Sequence, residues 1–292
     1  MTPSVLYCCD PLDPRRVDGH FAAEAREVRA RGGLVALLDH DALLRGEVER
    51  AVERVPAGSG PAWYRGWMIP SGSYAALAGA LDRRGTGLVV GAEQFRAAHE
   101  LPGWYSAFAE VTPVSVWSPG EAGQVPGADA LAALAGRLRP GPGIVKDYVK
   151  SRKHEWNEAC FIPDVSDAAV VARVVRRFIE LQGEFLAGGV VLREFESFVA
   201  PESAAAEVRV WWLDGKARLL TPHPDSPHAR GLVPELGHIA PAVRRLGCRF
   251  VTTDVALRSD GVWRVVEVGD GQVSELHASI DPGELVGLLL AA

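Results

Sequence analysis

The chain is short of cysteine, of basic charge and of long apolar runs, and each shortage excludes a class of function. Its four cysteines, Cys8, Cys9, Cys160 and Cys248, have a spacing that suits neither a zinc site nor a disulfide framework. Reduced thiols in a cytoplasmic setting are expected. Acidic residues outnumber basic ones, 37 to 31, so no basic stripe is present to track nucleic acid. No apolar run approaches the ~20 residues that span a bilayer. Residues 1–14 lack the basic-then-apolar order of a signal peptide. No serine–histidine or cysteine–histidine motif points to a protein nucleophile.

What is present is an ordinary globular composition over 292 residues, enough for a large core and two domains or one domain with a lobe. The apolar runs 4–9 and 34–38 read as buried strands. Between them Asp18 can cap a helix that carries Phe21, Ala25 and Val28 on one face and ends at Gly32-Gly33. Strand, helix, strand over this distance is a βαβ unit, hence a parallel start. A third short strand is expected at 87–90, and the run 114–117 closes the first part. The Pro- and Gly-rich loop 118–127 is the expected boundary between an N-terminal part, 1–122, and a second part, 123–292.

Two features of the first part have a plain and a chemical reading. Arg65 stands among Trp63, Tyr64, Trp67 and Met68, as a stacked structural residue or as an anion binder, since a guanidinium holds carboxylate or phosphate in two-pronged fashion. His99 and Glu100 precede a Pro-Gly break, as a helix-end packing feature or as part of a site.

The second part carries more chemistry. Lys146 lies in the middle of an apolar strand, 144–149, where a lysine is costly without a charged partner. Lys150, Ser151 and Lys153 follow, a set able to hold a polyphosphate. An amphipathic helix is expected over 166–186, with Val171, Val174, Phe178, Ile179 and Phe185 on its apolar face. Strand 190–195 turns charged at Arg193-Glu194. A two-residue turn at Asp214-Gly215 places Val208, Val210, Trp212, Ala217 and Leu219 on one face of a hairpin. Glu207, Arg209, Trp211, Lys216 and Arg218 share the other face, either solvent-facing or a site.

The stretch 250–276 reads as a second hairpin. With Asp260-Gly261 as a two-residue turn, Ser259 faces Val262 and Asp254 lies opposite Glu267 on one face. Opposed side chains sit roughly 5 Å apart and like charges there repel. A divalent cation removes the conflict, and oxygen-only ligands suit Mg²⁺. Asp270, in the following Gly-Asp-Gly bend, is the candidate third carboxylate. The plain alternative is a hairpin face whose acids point at water.

The blocks YRGWM (64–68), HELPGWY (99–105), IVKDYVKSRKHEW (144–156), VLREF (191–195) and EVGDGQVSEL (267–276) span most of the chain. In their order and content the chain resembles the ATP-grasp superfamily, and within it the clade named for two arginines and one lysine. The resemblance implies an α/β fold, with a Rossmann-like N-terminal lobe and a two-lobed ATP-grasp domain with antiparallel sheets. The small lobe would cover about 141–195 and the large lobe about 196–292. It also implies ATP and Mg²⁺, and ligation of a small-molecule or peptide carboxylate to an amine through an acyl-phosphate.

By resemblance, Lys146 contacts ATP phosphate, with Lys150 or Lys153 as its companion on a covering loop. Glu194 and Phe195 line the adenine pocket. Arg193 and Arg209 hold phosphates or the acyl-phosphate, and Asp254 and Glu267 hold the metal. Arg65 and His99 are the candidates for substrate binding. The sequence departs from the superfamily pattern at Gly269, where an Asn is usual, and in a covering loop without its glycine-rich run. An ATP-grasp kinase, a polynucleotide-type ligase and a non-catalytic nucleotide-binding scaffold are the alternatives.

Overall fold

The structure is a computed structural model, and it describes residues 3–199, 206–226 and 231–292. The expected βαβ unit is present. Strands β1 (Ser4–Cys8) and β2 (Val35–Leu38) run parallel and flank the helix Ala22–Ala30 in the chain. Asp18 caps one turn earlier than expected, accepting the His20 amide at 2.8 Å at the head of a 3-10 turn, Gly19–Phe21. The third strand is β3 (Ala62–Arg65), which completes a parallel sheet in the order β2-β1-β3. The run 87–90 forms no strand; Leu88 makes a single bridge to Ala62 at the edge of β3. Trp63 and Tyr64 are fully buried, so the aromatic surround of Arg65 is itself a core strand.

The second sheet is built from β4 (Ser115–Pro119), β5 (Gly143–Lys146), β6 (Phe161–Ile162) and β7 (Gly189–Glu194), antiparallel in the order β4-β7-β5-β6. The helix Ala168–Gln182 covers it, burying Val171, Val174, Val175, Phe178 and Ile179 against Val145 and Leu192. Gly183 then takes φ +53, the helix stops, and Phe185, expected on its apolar face, is exposed. Strand β4 precedes the expected boundary at 122, yet it is hydrogen-bonded to β7 along its length.

The third sheet comprises β8 (Glu207–Leu213), β9 (Lys216–Pro222), β10 (Phe250–Leu257) and β11 (Trp263–Asp270), antiparallel in the order β11-β10-β8-β9. Asp214 and Gly215 form the expected two-residue turn, with φ +50 and +71. A register shift at Trp211/Trp212 then places Leu219 opposite Trp211, on the Arg209 face rather than with Trp212.

The β10–β11 turn differs from expectation. Arg258 N donates to Val262 O and Gly261 N to Arg258 O, with Gly261 at φ +86. This is a three-residue loop, so Arg258 rather than Ser259 faces Val262, and Leu257 pairs with Trp263. A bulge between Asp254 and Val255 absorbs the one-residue slip, and Asp254 again faces Glu267.

The parallel sheet and the third sheet share one core. Trp63 packs edge-on against Phe250 at 5.6 Å, and its Nε1 donates to Leu289 O at 2.8 Å. The second sheet has its own core. The candidate cleft lies between the second and third sheets, with the end of β3 at one margin. No described helix is long and apolar enough to cross a membrane.

Candidate functional site

Two cavities meet between the second and third sheets. The larger, of ≈ 910 Å³, includes Ile144, Trp156, Phe195, Val266 and Glu267 in its wall. The smaller, of ≈ 580 Å³, includes His20, Trp67, Lys150, Arg209, Asp254 and Glu267. Ser151, Lys153, His154, Asp225 and Glu267 border both.

Lys146 ends strand β5 and is 1% exposed. Its Nζ reaches across to Glu267 Oε2 on the third sheet at 2.5 Å. The adjacent Asp147 is committed elsewhere. Its Oδ1 accepts the amides of Val149 and Lys150, and its Oδ2 accepts Gln182 Nε2 and the Ala187 amide. These bonds fix the start of the 147–155 loop. Lys150 has no ion pair among the described residues and lines the smaller cavity. Lys153 pairs with Asp225 Oδ2 at 2.6 Å, tying the loop to the third sheet's side of the cleft. Burial pushes the Lys153 ammonium down, but the Asp225 bond outweighs it and its pKa is raised.

Asp254 faces Arg209 across β8–β10 as well as Glu267 across β10–β11. Arg209 holds it with two parallel bonds, Nε to Oδ1 at 2.8 Å and Nη2 to Oδ2 at 2.9 Å, and its Nη1 donates to Glu275 O. Burial raises the Asp254 carboxyl, but the guanidinium wins and holds it below the usual range. The two opposed carboxylates therefore do not face each other bare, since Arg209 and Lys146 each neutralise one.

His223 Nε2 approaches Asp254 Oδ2 at 3.5 Å. Glu207, His223 and Asp254 bring ligand atoms within 4.8 Å of one another. They do not form a ready metal set. His223 Nδ1 accepts the Asp225 amide at 3.1 Å, which leaves the proton of a neutral ring on Nε2, the atom nearest Asp254. A metal-bound histidine instead donates from its second nitrogen. Glu207 is pushed up to about 7, by burial first and the Asp254 charge second.

Asp270 is not a third ligand. Alternation along β11 puts Glu267 and Gly269 on the cleft face and Asp270 on the other. Its carboxylate is fully buried, accepts Gln272 N at 2.9 Å and Gln272 Nε2 at 3.1 Å, and is pushed up to about 7 by burial. Asp254 and Glu267 remain as the pair whose chemistry fits Mg²⁺, which takes one or two carboxylates plus substrate phosphates.

Three further expectations change. Arg65 is 1% exposed; Nε and Nη2 each meet Glu24 at 2.8 Å, and Nη1 donates to Gln272 O and Ser274 O. Phe21 and Trp211 flank it at 5.7 and 5.9 Å. It braces the first and third sheets and does not offer a substrate fork. Arg193 likewise donates to Ser115 Oγ, Val266 O and Thr112 Oγ1 and sits over Trp104, so its guanidinium is committed to joining β4, β7 and β11 even though the residue borders the larger cavity. The Glu194 carboxylate turns to Arg139, with Nη2 to Oε2 at 2.6 Å, although the residue borders the larger cavity. Phe195 does belong to an aromatic wall there, edge-on to Trp156 at 5.9 Å and to Phe161 at 5.6 Å. His99 stacks on Phe95 at 4.8 Å and borders the smaller cavity; burial pushes it down to about 4, so it is neutral near pH 7.

Residues 133–289, more than half of the chain, match the family model for an ATP-grasp domain, family 3 of the clade named for two arginines and one lysine. The chain belongs to this ATP-grasp family. No curated protein matches it. Among solved structures, D-cycloserine synthetase DcsG is similar at TM-score 0.62 and 16% identity, over 98% of this chain and 99% of that one. The RimK domain ATP-grasp protein from Sphaerobacter thermophilus is similar at TM-score 0.60 and 13% identity, covering 99% and 100%. The ATP-grasp ligase PsnB, complexed with a variant of its minimal precursor, Mg and ADP, is similar at 0.57 and 14%, covering 100% and 97%. At such identities the likeness concerns the fold.

Within the ATP-grasp cleft, sequence reasoning missed Trp156, His223 and Asp225. The signal for the last two is the run His223-Pro224-Asp225 directly after β9, where a strand end opens into the cleft.

Proposed function

We propose that the chain is an ATP-dependent, ADP-forming carboxylate–amine ligase. One observation carries this reading: two cavities join at Glu267, whose carboxylate holds the buried ammonium of Lys146 from behind and faces Asp254 in the wall of the smaller cavity. The larger cavity suits a nucleotide, its base against Trp156 and Phe195, which Phe161 backs, and its phosphates toward Ser151, Lys153 and the Glu267 end where Lys146 is held. The smaller cavity suits the acid and the amine, beside Lys150, His99 and Arg209. Mg²⁺ held by Asp254 and Glu267 would neutralise the phosphate charge. The PsnB structure with Mg and ADP supports both groups as ligands of this fold.

In the reaction a carboxylate oxygen attacks the γ-phosphorus, and the bond to ADP breaks. The amine nitrogen then attacks the acyl carbon, loses a proton, and phosphate leaves with the carbon–oxygen electron pair. Acid, amine and ATP become amide, ADP and phosphate, and no protein nucleophile is required. Lys146 and Lys153 would offer positive charge where phosphate charge accumulates.

The test is product analysis with a pooled amino-acid and peptide library. ADP and phosphate released only when acid and amine are both present support the reading. AMP with pyrophosphate rules it out, and ADP with a stable phosphorylated product makes the protein a kinase.

A further inference from the structure

We infer that Lys146 also acts as a metal gate. Its ammonium sits on Glu267 and keeps a divalent cation from binding there until phosphate draws the lysine away. The inference rests on the reading of the cleft as a magnesium–nucleotide site. Its physical basis is that Lys146 and Glu267 are each other's charged partner. Lys146 Nζ lies 2.5 Å from Glu267 Oε2, and its next polar contact is Val149 O at 3.5 Å. Asp147 cannot substitute, because backbone amides and Gln182 hold both its oxygens.

The same arrangement recurs around the cleft. Arg209 neutralises Asp254, and Asp225 neutralises Lys153. Both carboxylates proposed for the metal carry a built-in cation. Of the lysines proposed for phosphate, Lys146 and Lys153 carry a built-in anion. The cleft is self-neutralised, with protein cations where a metal would sit and protein carboxylates where phosphates would sit.

The ammonium takes Oε2, one of the two oxygens through which this carboxylate could hold Mg²⁺ at about 2.1 Å, and its charge offsets that of the whole carboxylate. Two cations on one carboxylate repel. Phosphate resolves the conflict by exchange, because Lys146 trades a carboxylate for phosphate and Glu267 trades an ammonium for the metal. No ion pair is lost. Lys146 is the exchangeable cation because it holds Glu267 by a single bond on a flexible stem, with only the long Val149 O contact besides. Arg209 is fixed by two bonds to Asp254 and a third to Glu275 O. Metal and nucleotide affinities are therefore coupled, and the coupling is reciprocal.

Mn²⁺, followed by electron paramagnetic resonance, serves as the probe on the full chain. Lys146→Met is expected to bind Mn²⁺ alone about tenfold or more tightly than the wild type, within the usual range of coupling. In EDTA, Glu267→Gln is expected to bind metal-free ADP more tightly than the wild type, and that gain disappears when Lys146→Met is added. The inference is overturned if the wild type takes Mn²⁺ alone as tightly as Lys146→Met does. It is also overturned if the ADP gain is the same with and without Lys146. The wild-type titration needs no variant: tight Mn²⁺ binding without nucleotide is itself contrary. A wild type that binds neither ADP nor Mn²⁺ with ADP would refute the nucleotide reading instead.

Discussion

Replacing Glu267 by glutamine leaves Lys146 charged, 1% exposed and without a carboxylate. The repulsion of two opposed acids alone predicts that Glu267→Gln stabilises the nucleotide-free protein. The structure reverses that sign, because Asp254 already has Arg209 and Glu267 is the counter-ion of Lys146. Breaking a buried pair from one side costs about 3–5 kcal/mol, and breaking an exposed pair about 0–1. Here the lysine side chain is 2% exposed and the glutamate 32%. Water reaches the glutamate, and the new amide oxygen still accepts a hydrogen bond. The cost is therefore roughly 2 kcal/mol, a fall in Tm of roughly 4 °C. Lys146→Met removes the buried charge and keeps the length of the side chain, so its cost is below about 1 kcal/mol. Urea and thermal unfolding without nucleotide compare the two. Equal costs, or a Glu267→Gln variant as stable as the wild type, would show that Lys146 does not depend on Glu267.

Arg65→Lys should lower Tm strongly, by roughly 3 kcal/mol or more in unfolding free energy, because the lysine cannot hold Glu24 in two-pronged fashion. The protein that remains folded should keep the wild-type KM; a raised KM at unchanged Tm would restore the substrate role. Asp270 should make the protein less stable as pH rises. The unfolded carboxyl titrates near 3.9 and the folded one near 7, so between these values the folded state holds a proton that the unfolded chain has lost. The associated stability is complete below about 4 and lost by about 7, and Asp270→Asn should flatten that slope in unfolding measured from pH 4 to 8. His99 acts in the opposite sense. Its folded pKa of about 4 lies below the unfolded 6.5, so stability is lost as pH falls from about 6.5 to about 4. The pH–rate profile should show no break from His99 near neutrality, and a break at pH 6–7 that vanishes in His99→Gln would contradict its burial.

The elements that the sequence shows best are those with strong local chemistry. Asp214-Gly215 and the βαβ start are legible because turn φ values and buried apolar runs are local properties. The Asp254–Glu267 pairing is also right, yet through two errors that cancel. The loop is one residue longer than expected and a bulge takes up the difference, and neither leaves a mark in hydrophobic alternation. The site residues divide in the same way. Lys146 reads as functional because an apolar strand cannot hold an unpaired ammonium. Arg65 and Arg193 are just as improbable inside a core, but their acceptors, Glu24, Gln272 and Thr112, lie on distant segments that no local pattern connects. Asp270 follows Glu267 by three positions, and strand alternation alone places it on the wrong face for the metal.

The central claim is that a substrate carboxylate takes the γ-phosphoryl group of ATP in this cleft. The direct measurement supplies the pooled acids with ¹⁸O in their carboxyl groups, together with amines and ATP, and weighs the phosphate released. Transfer of one ¹⁸O into phosphate, together with ADP and an amide product, is the predicted result. Phosphate without the label, or AMP with pyrophosphate, would contradict it.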